Sequence, residues 1–371
     1  MIESIVHSHH RLVLDPPFPA AWDPEPRRAF PVALVRVRDD SGVEGIGMGD
    51  PVRGLVDYEH LFLGADPLDL DRHSAMLDNV AFLDGRPWPF EIALWDLAGK
   101  LSHRPIWQMV GARGDTLDLY ASFGTHRSRP ETVAAAQAVV SRGFRALKLR
   151  LGRGSLSDDL AIVDAVREGV GDEVALMVDC NQGWRMPWDI RPPPTLEDVL
   201  PLAGELADRG VHWMEEPLHR GDHRGMAALR EQVDVRIAGG EMTRELHEFE
   251  LMLQAGALDV YQPDAAVTGG IGGLRRVAAA VDAAGHVFSP HTWGSGVALL
   301  ANAHLTAGTV GTTFLEYPLD PPEWTEDRRD FLLADPVRCE GRITLGDRPG
   351  LGVELDLERC EATAVNVARY S

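Results

Sequence analysis

The sequence predicts an α/β fold in which a βα barrel follows an α+β segment. Two observations carry this. From about residue 116, short β-rich runs alternate with amphipathic helical runs, and the C-terminal ends of the β-rich runs collect ionisable residues. The β-rich runs are LDLYASFG, ALKLRLG, VALMVDCN, VHWMEEP, VRIAGGE, LDVYQPD, HVFSPH and TTFLEY. Between most of them lie helical stretches such as ETVAAAQAVV, LAIVDAVREGV, LEDVLPLAGELADRG and GLRRVAAAVDAAG. Eight strands spaced by helices suit a closed barrel better than an open doubly wound sheet, the alternative on pattern alone. Thr195-Leu196-Glu197-Asp198 has the spacing of a capping box that opens one of the helices.

Residues 1–115 read as the α+β segment. Apolar residues alternate through 32–38, Asp39-Asp40-Ser41-Gly42 is a turn, and 43–47 is a second strand, which together signal a hairpin. Residues 15–30 are Pro-rich without periodicity and predict a loop. Ile92, Trp95 and Leu97 stand among small residues in 89–101, as in a buried helix. The barrel is expected over 116–320. The tail, 321–371, returns to Pro-rich, hairpin-like sequence at 341–345 and 349–355 and is expected to pack back on the first segment.

Bulk properties narrow the function. A chain of 371 residues is too large for one simple core, so two domains are expected. A formal net charge of -21 repels nucleic acid and anionic membranes, and neither is expected as a partner. An anionic substrate would need a local cation, such as a bound metal. Cys180, Cys339 and Cys360 are widely spaced with no CxxC, which suggests neither a disulfide framework nor a zinc cluster. MIESIVHSHH lacks the pattern of a signal peptide, and no run of 18 apolar residues occurs, so a cytoplasmic protein is expected.

In a βα barrel, the C-terminal ends of the strands form the active-site face. From the second strand onward they carry Lys148 and Arg150, Asp179 and Asn181, Glu215 and Glu216, Glu241, Asp264, His291, and Glu316. Three converging carboxylates, Asp179, Glu215 and Glu241, would resist ionisation together. A hard divalent cation removes that cost, and all-oxygen ligation suits magnesium. Asp264 and His291 fall on neighbouring strands, where the carboxylate can fix the ring tautomer and raise the basicity of the other nitrogen. That makes His291 a general base, or an acid once charged.

The segments ALKLRLG, MVDCNQ, MEEP, GGE, QPD, SPHTWGSG and LEY, with ALWDLAGK before them and PGLGVEL after, resemble the mandelate-racemase branch of the enolase superfamily over nearly the whole chain. The resemblance implies a modified (β/α)7β TIM-like barrel under an α+β capping domain, one Mg2+ per subunit, and often a homo-oligomer. It implies that Asp179, Glu215 and Glu241 are the metal ligands and Asp264 and His291 the catalytic dyad. Glu316 matches the acid that hydrogen-bonds the substrate carboxylate opposite the metal. Lys148 matches the first lysine of a Lys-x-Lys pair.

The second lysine of that pair is Arg150 here. Holding an arginine neutral at pH 7 costs about 7 kcal/mol or more, so Arg150 is not an ordinary base. It binds a substrate oxygen, steadies charge beside Lys148, or forms a structural ion pair. His291 is then the one evident base. A racemase needs proton carriers on two faces, whereas a dehydratase manages with one. The expectation is dehydration of a sugar acid to a 2-keto-3-deoxy acid. An epimerase, a racemase or a lactone cycloisomerase is the alternative, and a non-catalytic binding protein on this fold is the more distant one. By the same resemblance, loops near 15–30 and 50–60 close the site and set specificity. Trp22, Arg27, Arg28 and Arg53 are candidate contacts for hydroxyls or a second carboxylate. The long connection 183–194, GWRMPWDIRPPP, brings Trp184, Arg185 and Trp188 either to the site or to an oligomer contact. His9 and His10 read as surface residues.

Overall fold

The structure is a computed structural model that describes residues 1–50, 58–112, 114–309 and 311–371, apart from the side chain of Asp84. The chain opens with three antiparallel strands, β1 (Ile2–Phe18), β2 (Arg27–Asp39) and β3 (Glu44–Gly49). Helices α1 (Leu70–Asp84), α2 (Trp88–Leu101) and α3 (Ile106–Met109) follow. The hairpin read from alternation at 32–47 is therefore present. The loop expected over 15–30 is shorter, because β1 runs on to Phe18 and β2 begins at Arg27. Helix α2 lies directly on β3. A Cβ at Gly47 would stand 1.8 Å from the Pro89 carbonyl oxygen, so only glycine permits this approach.

The barrel alternates strand and helix: β4 (Thr116–Ser122), α4 (Arg129–Ser141), β5 (Ala146–Arg150), α5 (Leu156–Val170), β6 (Ala175–Asp179) and α6 (Leu196–Asp208). It continues with β7 (Trp213–Glu215), α7 (His223–Arg230), β8 (Arg236–Gly239), α8 (Leu246–Ala255), β9 (Val260–Tyr261), α9 (Gly270–Ala283), β10 (Val287–Phe288), α10 (Gly296–Thr306) and β11 (Leu315–Pro318). The strands are parallel in the order β10-β9-β8-β7-β6-β5-β4-β11. At the seam, Ser289 Oγ donates to the Phe314 carbonyl (2.8 Å) and Thr312 Oγ1 to that of Phe288. Tyr120, Met177, Trp213 and Val260 fill part of the interior, as a packed barrel requires. The capping box at the start of α6 is formed: Thr195 N–H donates to Asp198 Oδ2 at 2.8 Å.

After the barrel come α11 (Glu326–Arg329), β12 (Arg342–Thr344), α12 (Leu357–Thr363) and β13 (Ala364–Tyr370). The hairpin-like tail forms no hairpin, because β12 pairs antiparallel with the start of β4. β13 instead adds to the open edge of β1, from Ile5↔Tyr370 to His10↔Ala364. His10 is not a surface residue. It is 2% exposed, 2.8 Å from Ser8 Oγ and 3.1 Å from Thr363 Oγ1.

Two buried carboxylates on α2 tie the cap to the rest of the chain, one to the barrel and one to the tail. Glu91 accepts from the backbone N–H groups of Ile271 and Gly272 at 2.9 Å, and so caps α9. Asp96 accepts from Ile46 N (2.8 Å) and Leu351 N (2.7 Å), and Lys100 lies 2.7 Å away. Residues of ALWDLAGK and PGLGVEL, about 255 positions apart, thus meet at one carboxylate.

His304, on α10, joins three segments. Its Nδ1 accepts from Trp107 N at 3.1 Å and its Nε2 lies 3.4 Å from the Leu351 carbonyl, which fits the neutral ring. Burial pushes its pKa down to about 4. As pH falls below about 6.5, the unfolded chain takes up this proton before the folded one does. Stability from this group is therefore complete above about 6.5 and declines towards pH 4, by roughly 3 kcal/mol. Urea midpoints at pH 7.5 and 4.5 are expected to differ less for His304→Gln than for the parent. An equal difference in both proteins overturns this assignment.

Candidate active site

Strand register assembles the site. Arg150 pairs with Asp179 across β5–β6, and Asp179 with Glu215 across β6–β7, so all three stand level. Glu241 follows β8 by two residues. One oxygen from each of Asp179, Glu215 and Glu241 lies within 4.8 Å of the others, and all three residues are buried. Each carboxylate is held by a donor. Asn181 N–H reaches Asp179 Oδ1 (2.8 Å), Gln262 Nε2 reaches Glu215 Oε2 (2.7 Å), and Trp184 Nε1 reaches Glu241 Oε1 (2.6 Å). Burial pushes the Glu215 carboxyl up to about 8, despite the pull of Lys148. Three buried oxygen donors this close together fit a divalent cation of the magnesium type. Glu216 is also buried, but it lies against Gly183, outside this trio.

Lys148 is fully buried. Its Nζ lies 2.5 Å from Glu215 Oε1, 2.8 Å from Glu316 Oε1 and 3.5 Å from Asp179 Oδ2. Burial alone would lower its pKa, but these acids outweigh that and hold it above the ordinary lysine value. Glu316 Oε2 accepts from Thr292 N at 2.7 Å. Arg150 is bonded through Nη1 to Asp179 and through Nε to the Phe123 carbonyl (2.7 Å). Its guanidinium also lies 4.8 Å from the centre of the Trp22 ring. Arg150 forms an ion pair, and it is made with one of the trio.

Across the site, His291 Nδ1 stands 3.0 Å from Asp264 Oδ2, and its Nε2 is 3.6 Å from Glu241 Oε2. Asp264 is fixed in turn by Ala266 N (2.8 Å) and Asn302 Nδ2 (2.9 Å). Burial disfavours the charged ring, but Glu241 and Asp264 outweigh it and push His291 up to about 10.

A cavity of about 290 Å³ opens over these groups between cap and barrel. Arg150, Asn181, Trp184, Glu241, His291, Trp22 and Arg27 all line it. Arg28 is exposed and does not line it, nor do Arg185 and Trp188. Arg53 lies outside the described residues. The sequence reading missed Phe18, Phe30, Met186, Met242, Trp293 and Trp324, which also line the cavity. Of these, Trp293 stood in plain view beside His291, in SPHTWGSG.

Residues 131–359 match the family described as enolase C-terminal domain-like. The chain belongs to the enolase superfamily. Within it, the chain is 30% identical to the L-talarate/galactarate dehydratase of Salmonella typhimurium, over 89% of this chain and 82% of that one. It is also 30% identical to a 3,6-anhydro-alpha-L-galactonate cycloisomerase of Streptomyces coelicolor, over 91% and 92%. Among solved structures, a racemase from Streptomyces coelicolor with bound magnesium matches with a TM-score of 0.85 and 28% identity, covering 98% of this chain and all (100%) of that one. The modified barrel with its antiparallel cap sheet is the fold of this superfamily, and its trio of acids fits the magnesium that such a relative holds. Among the described residues, no helix is long and apolar enough to cross a membrane.

Trp184 reaches the acid trio from the 183–194 connection. Removing its donor in Trp184→Phe is expected to weaken magnesium binding about tenfold, because a group that orients a ligand typically contributes that much. Isothermal titration checks this, and unchanged affinity would show that Glu241 needs no such anchor.

Proposed function

We propose that this enolase-superfamily protein is a sugar-acid dehydratase. One observation carries the reading: His291 is the one imidazole lining the cavity among the described residues, with Nδ1 held 3.0 Å from Asp264 Oδ2, which leaves Nε2 to take and return a proton. Lys148 lies behind the cavity wall, held by three carboxylates. Arg150 lines the cavity, but a guanidinium keeps its proton.

Asp179, Glu215 and Glu241 are the residues that would hold magnesium, which when bound stabilises negative charge developing on the substrate carboxylate. Asp264 accepts the Nδ1 proton of His291 and leaves Nε2 as the base. With Glu241 engaged by the cation, Asp264 is left to set the basicity of the ring. His291 Nε2 takes the α-proton while the C–H electron pair moves towards the carboxylate. The imidazolium then gives that proton to the β-hydroxyl on the same face, the C–O bond breaks, and water leaves. The enol that remains tautomerises to the 2-keto-3-deoxy acid. Lys148 supplies fixed positive charge beneath the carboxylate. Glu316 acts through Lys148, whose ammonium it holds.

Cycloisomerisation is the second reading, favoured by the Streptomyces coelicolor relative. It differs in product rather than in the group that moves the α-proton. The test is incubation of magnesium-loaded protein in deuterated water with aldonic and aldaric acids, followed by mass spectrometry and NMR. A keto-deoxy product with loss of water is expected. An isomer of unchanged mass would replace dehydration with isomerisation, and magnesium binding without α-exchange for any acid would point to a binding protein.

A further inference from the structure

One wall of the cavity, beside Arg150, is aromatic. Phe18 from the end of β1 and Trp22 from the following turn meet Trp293 from the β10–α10 connection, with ring centroids 5.8 and 5.0 Å from that indole. Trp324, beyond β11, stands 5.2 Å from Phe18 and 5.0 Å from Phe30. Leu14 completes this patch, which draws on both cap and barrel. Rings locked against one another in this way lose little freedom on binding, and they favour a partner that needs no hydrogen bond.

The charges on the cavity point the same way. Besides His291, the cations lining it among the described residues are Arg27 and Arg150. Arg150 is matched by Asp179, and Arg27 is engaged through Nε, 3.2 Å from Asp23 Oδ2. The remaining acid at the rim is Asp50, itself 3.5 Å from Arg86 Nη1.

We propose that the far end of the substrate is uncharged and turns a C–H face to this wall. The substrate is then a monocarboxylic sugar acid, deoxygenated or closed into an anhydro ring away from its carboxylate, and not an aldarate. This rests on the sugar-acid reading above and narrows it. A methyl or methine face on Trp22 and Trp293 gains contact without leaving a buried polar group unpaired. A carboxylate placed there would lose its water against the aromatic faces and would compete with Asp23 or Asp179 for an arginine.

Three tryptophans in the wall give a readout that does not depend on turnover. Magnesium-loaded protein is titrated with a 6-deoxyhexonate, the parent hexonate and the matching hexarate, following intrinsic fluorescence, with product formation measured in parallel. The deoxy acid is expected to bind roughly tenfold more tightly than the hexarate, the discrimination an added methyl group brings in an apolar pocket. Trp22→Ala is expected to bring the ratio of the two affinities close to one. Equal or tighter binding of the hexarate overturns the proposal, whatever the product. Preference for the deoxy acid with no keto product, or with an isomer, leaves the wall assigned and rejects dehydration instead.

Discussion

Replacing His291 with Asn is expected to lower kcat for dehydration by about 10²–10⁴-fold, the range over which a positioned acid–base group acts. The expectation is large because one ring performs both proton transfers. Asn keeps the approximate volume and can still face Asp264 Oδ2, 3.0 Å from Nδ1 in the parent, so the fold and the acid trio should survive. Magnesium affinity is therefore expected to change little, because none of the trio is removed. The informative measurement pairs kcat with α-deuterium exchange. If His291 is the base, both fall together. If exchange persists while dehydration stops, another group takes the α-proton and His291 acts only as the acid. Full turnover in His291→Asn would end the one-base mechanism. The companion variant Asp264→Asn should lose less, because it leaves the ring in place but no longer fixes which nitrogen carries the proton.

The barrel and its acids were legible in the sequence because both are periodic. Each strand is a short apolar run, and its last residue must carry chemistry if it faces the open end of a barrel. Asp179, Glu215 and Glu241 are therefore found by position alone. What the sequence hid is equally physical. β1 escaped notice because two of its inward positions, Ser8 and His10, are polar and satisfy each other, which breaks the apolar alternation. The aromatic wall escaped because Phe18, Phe30 and Trp324 come from separate elements and show no shared spacing. Arg150 was readable as a non-base but not as a partner of Asp179, since that contact needs the β5–β6 register.

That contact yields the second large prediction. Asp179 is read both as a magnesium ligand and as the partner of Arg150, and the two roles separate in a pair of variants. Asp179→Asn removes one anionic ligand and leaves a buried guanidinium without its carboxylate. Breaking such a pair costs about 3 kcal/mol or more. Loss of metal assistance, worth several kcal/mol at the transition state, lowers kcat/KM by at least about 10³-fold. Asp179→Asn/Arg150→Met removes the stranded charge as well, and places a thioether where the guanidinium lay over Trp22, 4.8 Å from the ring centre. Most of the lost stability is expected to return in the double variant, read from urea midpoints, while activity and magnesium affinity stay low. Recovery of activity with stability would mean that Asp179 serves the fold and not the metal. Failure to regain stability would mean that the ion pair is not what Asp179 contributes to the folded chain. A site that holds its acids together with Lys148 and Arg150 and also offers them to a cation must let those contacts yield when the metal enters, so magnesium affinity should rise in Arg150→Met alone.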